Sequence, residues 1–464
     1  MVTSAGNSSP MQPPHHWVFR RESATSDGSE KTATRQSVTN LIDASHPTKE
    51  ASAASIDSRD SEFHSQDMLA TRPNGSSTIK AYANLVCTLA GTGTLGLAHA
   101  TSLAGWAGLG LIVLSLFMSV YTGIILITSL YLKTNKRRHS YQEIAKDSFG
   151  KVGYWISYST SAIGLHGTAL VYNILAAGIL HSTIVDATGK DTMSIKWYIF
   201  FVAVFCWACF VFTRTLKETA FLSILGALAT LFVVCIVVGM SADEMARQAA
   251  AGIIVQHEII TTNLPRAMAT ISFAYGGNVV YPHVEQSMRE PKKWNRAIWL
   301  ALVTCFILYF TIAAVGYAAY GQDTLSPILS NLPKGPLTTS ANLLITAHVM
   351  LASPIMLTSL SMMIETSLST RWVQFADDYQ GHSFTYRAIL RTAISASVCL
   401  ISLVIPFFGD VMDLLGALTG SMFVFILPVM CYYKLGGYQG ASLAHKAFAV
   451  MTLAVGIVAM VMDL

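Results

Sequence analysis

The sequence predicts an all-α integral membrane protein of about eleven transmembrane helices, built as two inverted five-helix repeats followed by one more helix. Three observations lead to this prediction. About eleven apolar segments have the length of a membrane span, glycine-rich breaks interrupt the first and sixth, and lysine and arginine concentrate in alternate connections. Lipid offers no hydrogen-bond partners, so a broken helix is tolerated at that depth only where it lines a cavity or is buried in protein.

Composition places most of the chain in a membrane. Hydrophobic residues make up 52% of the 464 residues, charged residues only 12%, and the mean hydropathy is +0.48. Soluble domains carry about 25% charged residues. The net charge of +4 is too small to indicate nucleic-acid binding. All seven cysteines fall in apolar segments, which is typical of small packing residues and argues against a disulfide framework.

Residues 1–77 form a polar tail that we expect to be disordered and cytosolic. The tail is rich in serine, threonine and alanine and has too few apolar side chains to offset the entropy of ordering. Arg21 precedes Ser23, and Arg35 precedes Ser37, so kinases are a candidate partner; such pairs also arise by chance in a serine-rich tract. Residues 78–464 are the predicted transmembrane domain.

Eleven apolar segments follow the tail, and each is near or above the roughly 20 helical residues that cross a bilayer. They lie near residues 79–99, 106–132, 150–181, 195–213, 217–239, 266–284, 295–320, 338–367, 387–406, 411–433 and 444–462.

Charge in the connections predicts the orientation. With a cytosolic tail, connections on the cytosolic side hold seventeen lysines and arginines and those on the other side hold five, which favours this orientation. The membrane is predicted to be the plasma membrane or a vacuolar or other endomembrane. A long outer connection near residues 240–265 separates five segments from six, which puts both breaks in the first helix of a repeat, as alternating access requires.

The two breaks predict a binding site. A broken helix exposes free amides where its second half begins and free carbonyls where its first half ends, with opposite partial charges. An α-amino acid fits this arrangement, because its carboxylate faces the amides and its ammonium the carbonyls. The alternative is that these small residues serve close helix packing. The candidate residues are Gly91, Thr92, Gly93, Thr94 and Gly96 in the first break and Tyr275, Gly276, Gly277 and Asn278 in the second.

Three motifs resemble those of the amino acid/auxin permease family. The stretches Gly91–Trp106, Phe273–Ala297 and Phe407–Pro428 are similar to the family's first, sixth and tenth helix motifs. The resemblance covers about residues 79–464. It implies an eleven-span leucine-transporter-type fold with a 5+5 inverted repeat, and secondary active transport of amino acids coupled to H⁺ or Na⁺. It also implies that Tyr172, which matches a tyrosine of the family's third helix, contacts the substrate.

The sequence favours protons over sodium as the coupling ion. Sodium-coupled members of that family have an asparagine four residues before the break, where this chain has Cys87, and a thiol is a poor sodium ligand. Histidine changes charge near neutral pH, and His99 and His166 lie in segments expected to border the site. A sodium site would instead use Asn84, Ser353 and Thr358 with the carbonyls around Leu89 and Ala90.

Other acidic residues near the ends of segments have structural interpretations. Asp410 and Asp413 begin a predicted helix, where carboxylates cap free amides. Glu285 lies among basic residues near a cytosolic end and is interpreted as a gate or anchor.

The main prediction is a proton-coupled, alternating-access transporter of neutral amino acids that needs no cofactor. One alternative is an amino acid sensor with little flux that signals through the tail. Another is a carrier of auxin-like small organic acids, which would not need carbonyls facing an ammonium group. The sequence has no nucleophile–base pattern, paired-carboxylate motif or histidine cluster of metal-binding spacing, so we predict neither an enzyme nor a metal site.

Overall fold

The computed structural model describes residues 71–73, 75–134, 137–191, 193–212, 216–371 and 383–462. As far as residue 70, the predicted tail lies outside the described residues, and so do its candidate kinase sites. Within the described ranges the fold is all-helical.

Fourteen α-helices make up the described part of the chain. In order they are α1 Thr78–Leu89, α2 Gly93–Ala104, α3 Ala107–Ser129, α4 Tyr141–Thr188, α5 Ile195–Phe212, α6 Leu216–Ala251, α7 Leu264–Ala274, α8 Tyr281–Ser287, α9 Trp294–Tyr320, α10 Pro336–Arg371, α11 Ser383–Val404, α12 Phe408–Leu415, α13 Leu427–Lys434 and α14 Leu443–Val461. Two π-helical segments, Gly416–Gly420 and Met422–Ile426, join α12 to α13.

The helices reproduce the predicted pattern of continuous and broken segments. By length and composition, nine helices in the described ranges could cross a membrane, if α12, the π segments and α13 are taken as one. The first and sixth predicted segments are each divided between two shorter helices, α1 with α2 and α7 with α8. The predicted fold class is therefore confirmed, and the count of eleven spans stays a prediction.

Helix α4 is far longer than a membrane span and is kinked at a glycine. Its 48 residues include Gly150, whose φ of 66° and ψ of −147° are not helical and suit a residue without Cβ. The Ser140 hydroxyl accepts from the Glu143 amide and caps the start of the helix. Only the part after the kink corresponds to the predicted segment near residues 150–181.

A buried carboxylate organises one end of the bundle. Glu285 of α8 is fully buried and accepts from the Tyr131 hydroxyl at 2.6 Å, from Arg72 at 3.2 Å and from the Arg137 Nε at 2.9 Å. Burial and the neighbouring Glu285 carboxylate raise the pKa of Tyr131 well above its ordinary value, so its hydroxyl stays a donor. Arg72 precedes α1, so the cluster joins both broken segments.

Backbone pairing reinforces this connection. The Ser76 amide donates to the Ser287 carbonyl at 2.7 Å, and the Arg289 amide donates back to Ser76 at 2.8 Å. Arg72 and Ser76 precede residue 78, where the predicted domain begins, so the last residues of the predicted tail contact the end of α8.

A second ion-pair cluster lies at the opposite end of the broken α7–α8 segment. Arg266 of α7 pairs with Asp413 and Asp410 at 2.8 Å each, and the Thr270 hydroxyl also donates to Asp413. Helix α12 has no side-chain cap at its start. The capping role expected for the two aspartates is therefore wrong, because the Arg266 guanidinium on α7 takes up their oxygens.

We expect Glu285→Gln to destabilise the protein strongly. The substitution leaves Arg137 and Arg72 without their carboxylate, and breaking a buried ion pair costs about 3–5 kcal/mol. Thermal unfolding of the purified protein in detergent measures the loss. The matched control is Glu290→Gln, five residues along the chain, where the carboxylate is half-buried and pairs with Lys293 at the surface. A loss no larger than that of the control would contradict the anchoring role.

Candidate functional site

The first break separates α1 from α2 at residues 90–92. The Gly91 amide turns back and donates to the Leu89 carbonyl at 2.8 Å, which closes a three-residue turn and ends the helix. In the described part of the chain, the amides of Thr92 and Gly93 have no backbone acceptor. The start of α2 therefore presents free donors in the middle of a span.

The second break repeats this geometry at residues 275–280. The Gly277 amide donates to the Tyr275 carbonyl at 2.8 Å, again across a three-residue turn. The amides of Asn278 and Val279 likewise have no backbone acceptor within the described ranges. Each broken segment thus offers two free amides before its second half.

Tyr309 of α9 bridges the two breaks. Its hydroxyl lies 2.6 Å from the carbonyl oxygen of Leu89, the last residue of α1, and 2.8 Å from that of Ala274, the last residue of α7. The ring is fully buried and packs edge-on against Tyr275, with centroids 5.2 Å apart. The sequence analysis missed this residue; a tyrosine in the middle of an apolar helix was the signal available.

A cavity of about 80 Å³ lies between the breaks, α4, α10 and the π segments. Its polar surface comes from exposed backbone, threonine hydroxyls and one tyrosine, and none of its lining residues is charged. The lining residues are Thr88, Leu89, Gly91, Thr92, Gly93, Gly164, Leu165, Thr168, Tyr172, Phe273, Ala274, Gly276, Val279, Val280, Met356, Thr419, Gly420 and Phe423.

Half of the predicted substrate residues line this cavity. They are Gly91, Thr92, Gly93, Tyr172 and Gly276.

Two of the other predicted substrate residues are buried polar groups beside the cavity. The Tyr275 hydroxyl donates to the Ile112 carbonyl of α3 at 3.3 Å. Thr94 is fully buried, and its hydroxyl has no hydrogen-bond partner in the described part of the chain.

Several of the predicted glycines serve close packing. A Cβ on Gly93 would lie 2.6 Å from the Ala274 Cα, so this glycine lets the start of α2 approach the end of α7. A Cβ on Gly96 would overlap the Met412 side chain, and one on Gly277 would lie 2.9 Å from Leu89. Close helix packing therefore explains Gly96 and Gly277, whereas Gly91 and Gly276 line the cavity. Gly93 does both.

Asn278 connects the second break to the π segments. Its side-chain amide donates to the Phe423 carbonyl at 3.1 Å, and the Tyr141 hydroxyl donates to the same oxygen at 3.2 Å. In a π-helix this carbonyl would bond to the residue five positions on, which is Pro428 and has no N–H. The proline thus leaves Phe423 free to accept from the break.

The two candidate histidines do not line the cavity. The His166 ring bonds to the Ser397 hydroxyl of α11 at 2.8 Å. His99 lies 2.8 Å from the Thr324 carbonyl and borders a separate, wider cavity of about 450 Å³, which also contains Asp410.

Two of the residues named for a sodium site take part in hydrogen bonds within their own helices. The Thr358 hydroxyl donates to the Pro354 carbonyl at 2.7 Å, and the Asn84 carbonyl accepts from Thr88 at 2.8 Å. Ser353 is buried in α10. In the described ranges, no group of three histidine, cysteine, aspartate or glutamate side chains is placed to hold a metal ion.

Comparison of the sequence with protein families finds one that covers most of the chain. Residues 74–464 match the family described as "Transmembrane amino acid transporter protein".

Individual relatives are distant but similar over most of the chain. "Amino acid transporter AVT1I" of Arabidopsis thaliana is 25% identical over 81% of this chain and 90% of its own length. "Amino acid transporter AVT1C" of the same plant is 26% identical over 77% of this chain, which spans only 63% of that relative. The "Vesicular GABA transporter" of Caenorhabditis elegans is 24% identical over 76% of this chain and 72% of its own length.

A solved structure shows the same fold. Mhp1, a nucleobase-cation-symport-1 family transporter solved in a closed conformation with bromovinylhydantoin bound, superposes with a TM-score of 0.51 at 13% identity. The match covers 84% of this chain and 92% of Mhp1. Together with the two broken segments, this likeness and the family match confirm the predicted transporter fold. The chain belongs to the transmembrane amino acid transporter protein family, which is the amino acid/auxin permease family that its three motifs resemble.

Proposed function

We propose that this protein is a secondary active transporter of neutral amino acids, coupled to protons and working by alternating access. The observation that carries the proposal is that residues with free amides from both breaks, namely Thr92, Gly93 and Val279, line one cavity without charged residues. The names of the relatives agree, since they describe transporters of amino acids or of GABA. An uncharged cavity favours a zwitterion whose own side chain is neutral, because a buried extra charge would lack a partner.

The substrate carboxylate is expected to bind the free amides of Thr92 and Gly93, where the start of α2 carries partial positive charge. The ammonium group then faces the end of α7. A carbonyl oxygen has two lone pairs. The Leu89 oxygen already accepts from Gly91 and from Tyr309, whereas the Ala274 oxygen accepts only from Tyr309 among the described contacts. Ala274 is therefore the better acceptor for the ammonium.

Tyr309 also supports proton rather than sodium coupling. In transporters with broken helices, the carbonyl ends of half-helices are where coupling cations bind. Here the Tyr309 hydroxyl lies 2.6 Å from the Leu89 carbonyl, one of those named for a sodium site, and 2.8 Å from the carbonyl at the end of α7. Cys87, one turn before the break, offers a thiol in place of a hard oxygen ligand.

The ion-pair clusters at the two ends supply elements for alternating access. Glu285 ties the segment before α1 to α8, and Arg266 ties α7 to α12. In the proposed cycle each cluster opens in turn, so the cavity reaches one side of the membrane at a time. The charge pattern of the loops supports a cytosolic position for Glu285 and for the N-terminus.

We expect Gly91→Ala to shift the substrate preference toward smaller amino acids. The added methyl group enters the cavity at 3.4 Å from the Tyr172 hydroxyl, with no other atom within 4 Å. One methylene in an apolar pocket changes discrimination by about 10- to 200-fold. Competition by a panel of amino acids in proteoliposomes measures the ranking. The control is Gly110→Ala, where nothing lies within 4 Å. An unchanged ranking in both variants would show that the substrate does not bind in this cavity.

We expect uptake to follow an imposed pH gradient and to be unaffected when choline replaces sodium. His99 borders the wider cavity, so it is the proposed proton carrier, and His99→Gln should abolish gradient-driven accumulation while amino acid exchange continues. His166→Gln is the matched control, because its ring faces α11. Sodium dependence in the wild type would overturn the ion assignment, and binding without flux would favour the sensor alternative.

We expect Tyr309→Phe to lower transport and to make the remaining activity respond to sodium. The substitution leaves the buried Ala274 carbonyl without its donor, beside a space the size of one oxygen atom, at a cost of about 1–3 kcal/mol, while the Leu89 carbonyl keeps its bond from the Gly91 amide. Sodium can then enter that space. Tyr275→Phe is the control, since within the described ranges its hydroxyl bonds to the Ile112 carbonyl and to neither half-helix end. Normal, sodium-indifferent uptake by Tyr309→Phe would show that the bridge is dispensable.

A further inference from the structure

A groove with basic and apolar walls lies at the end of the bundle where α3 and α13 finish. Its volume is about 770 Å³, and it runs between α13, α14 and the connection after α3. It lies apart from the central cavity and shares none of its lining residues.

Three lysines surround the mouth of this groove. Lys133, Lys434 and Lys446 are exposed, and no carboxylate is among the lining residues. None of the three takes part in an ion pair within the described ranges. The mouth therefore carries three positive charges with no internal compensation, which is charge complementarity for an anion.

One of these lysines lies against a glycine turn at the groove. Lys133 has a φ of 51°, in the left-handed region that residues other than glycine and asparagine seldom adopt. Its amine lies over the turn at Gly436, whose φ is 80° and where a Cβ would come within 2.6 Å of the lysine Nζ. A positive φ at a lysine costs free energy, so the surrounding fold must stabilise this backbone conformation.

The wall below the lysines is apolar and faces the membrane. Met430 and Val450 are 40% and 66% exposed, in helices apolar enough to span a bilayer. Tyr438 lies at the boundary, with its hydroxyl 2.7 Å from that of Tyr121, and tyrosines are enriched at membrane–water interfaces. The groove thus changes from charged to apolar along the direction in which a lipid changes from headgroup to acyl chain.

We propose that this groove binds an anionic phospholipid, whose phosphate lies among the three lysine amines and whose acyl chain follows Met430 and Val450. Basic pockets between membrane helices on the cytosolic side are suited to such headgroups. The loop charges predict that this end is cytosolic, where anionic lipids concentrate. A soluble anion would leave the apolar wall uncovered.

Native mass spectrometry of the full-length protein in detergent tests the proposal, with phosphatidylinositol phosphate and phosphatidylcholine as probes. Each basic residue near an anionic surface contributes about fivefold to binding, so the triple variant K133Q/K434Q/K446Q should bind phosphatidylinositol phosphate on the order of 100-fold more weakly. Phosphatidylcholine binding should not change. The matched control is K146Q/K151Q/K292Q, which removes three exposed lysines elsewhere.

Two outcomes would overturn the proposal. An equal loss in both triple variants would mean that general surface charge attracts the lipid. Soluble inositol phosphate binding as tightly as the lipid would mean that the groove is an anion site to which acyl chains contribute nothing. The apolar wall is tested separately by V450N, a polar but uncharged substitution, which should weaken lipid binding and leave binding of the soluble headgroup unchanged.

Discussion

The contact between the Tyr309 hydroxyl and the carbonyls of Leu89 and Ala274 answers a requirement that every broken membrane helix meets. A backbone N–H or C=O group outside a helix finds no water to bond with in the bilayer, so the protein has to supply a hydrogen-bond partner. Here one side chain from α9 serves the ends of two half-helices. These two ends also line the central cavity, and α2 approaches α7 closely beside them.

Charged side chains contact the broken segments at the two ends of the bundle, and none of the described ones lines the central cavity. The described carboxylates and guanidinium groups that touch the broken segments lie in two clusters, around Glu285 and Asp413. Between them the cavity relies on amides, carbonyls and hydroxyls. This division suits a transporter, because an ion pair next to water can separate and re-form, whereas an unpaired charge at the bilayer centre is costly. A binding site made of backbone dipoles avoids that cost.

The sequence predicted the features that leave a local signal. Breaks require glycine near residues 91 and 276, and both appear where expected. It could not predict the contact of Tyr309 with Leu89 or that of Arg72 with Glu285, because these pairs lie 220 and 213 residues apart and leave no local pattern. It also could not place His166: neighbouring residues on a helix point about 100° apart, so Leu165 lines the cavity while His166 faces α11.

The Tyr309 hydroxyl has a single hydrogen, yet it lies within bonding distance of two acceptors. At any instant it donates to one half-helix and leaves the other to attract a donor from elsewhere. In the proposed binding mode, a substrate ammonium at the Ala274 oxygen would compete for that acceptor and favour rotation of the hydroxyl toward Leu89. In the proposed site, occupancy of one broken segment would thus change the hydrogen bonding of the other through rotation of one O–H bond, without movement of either helix.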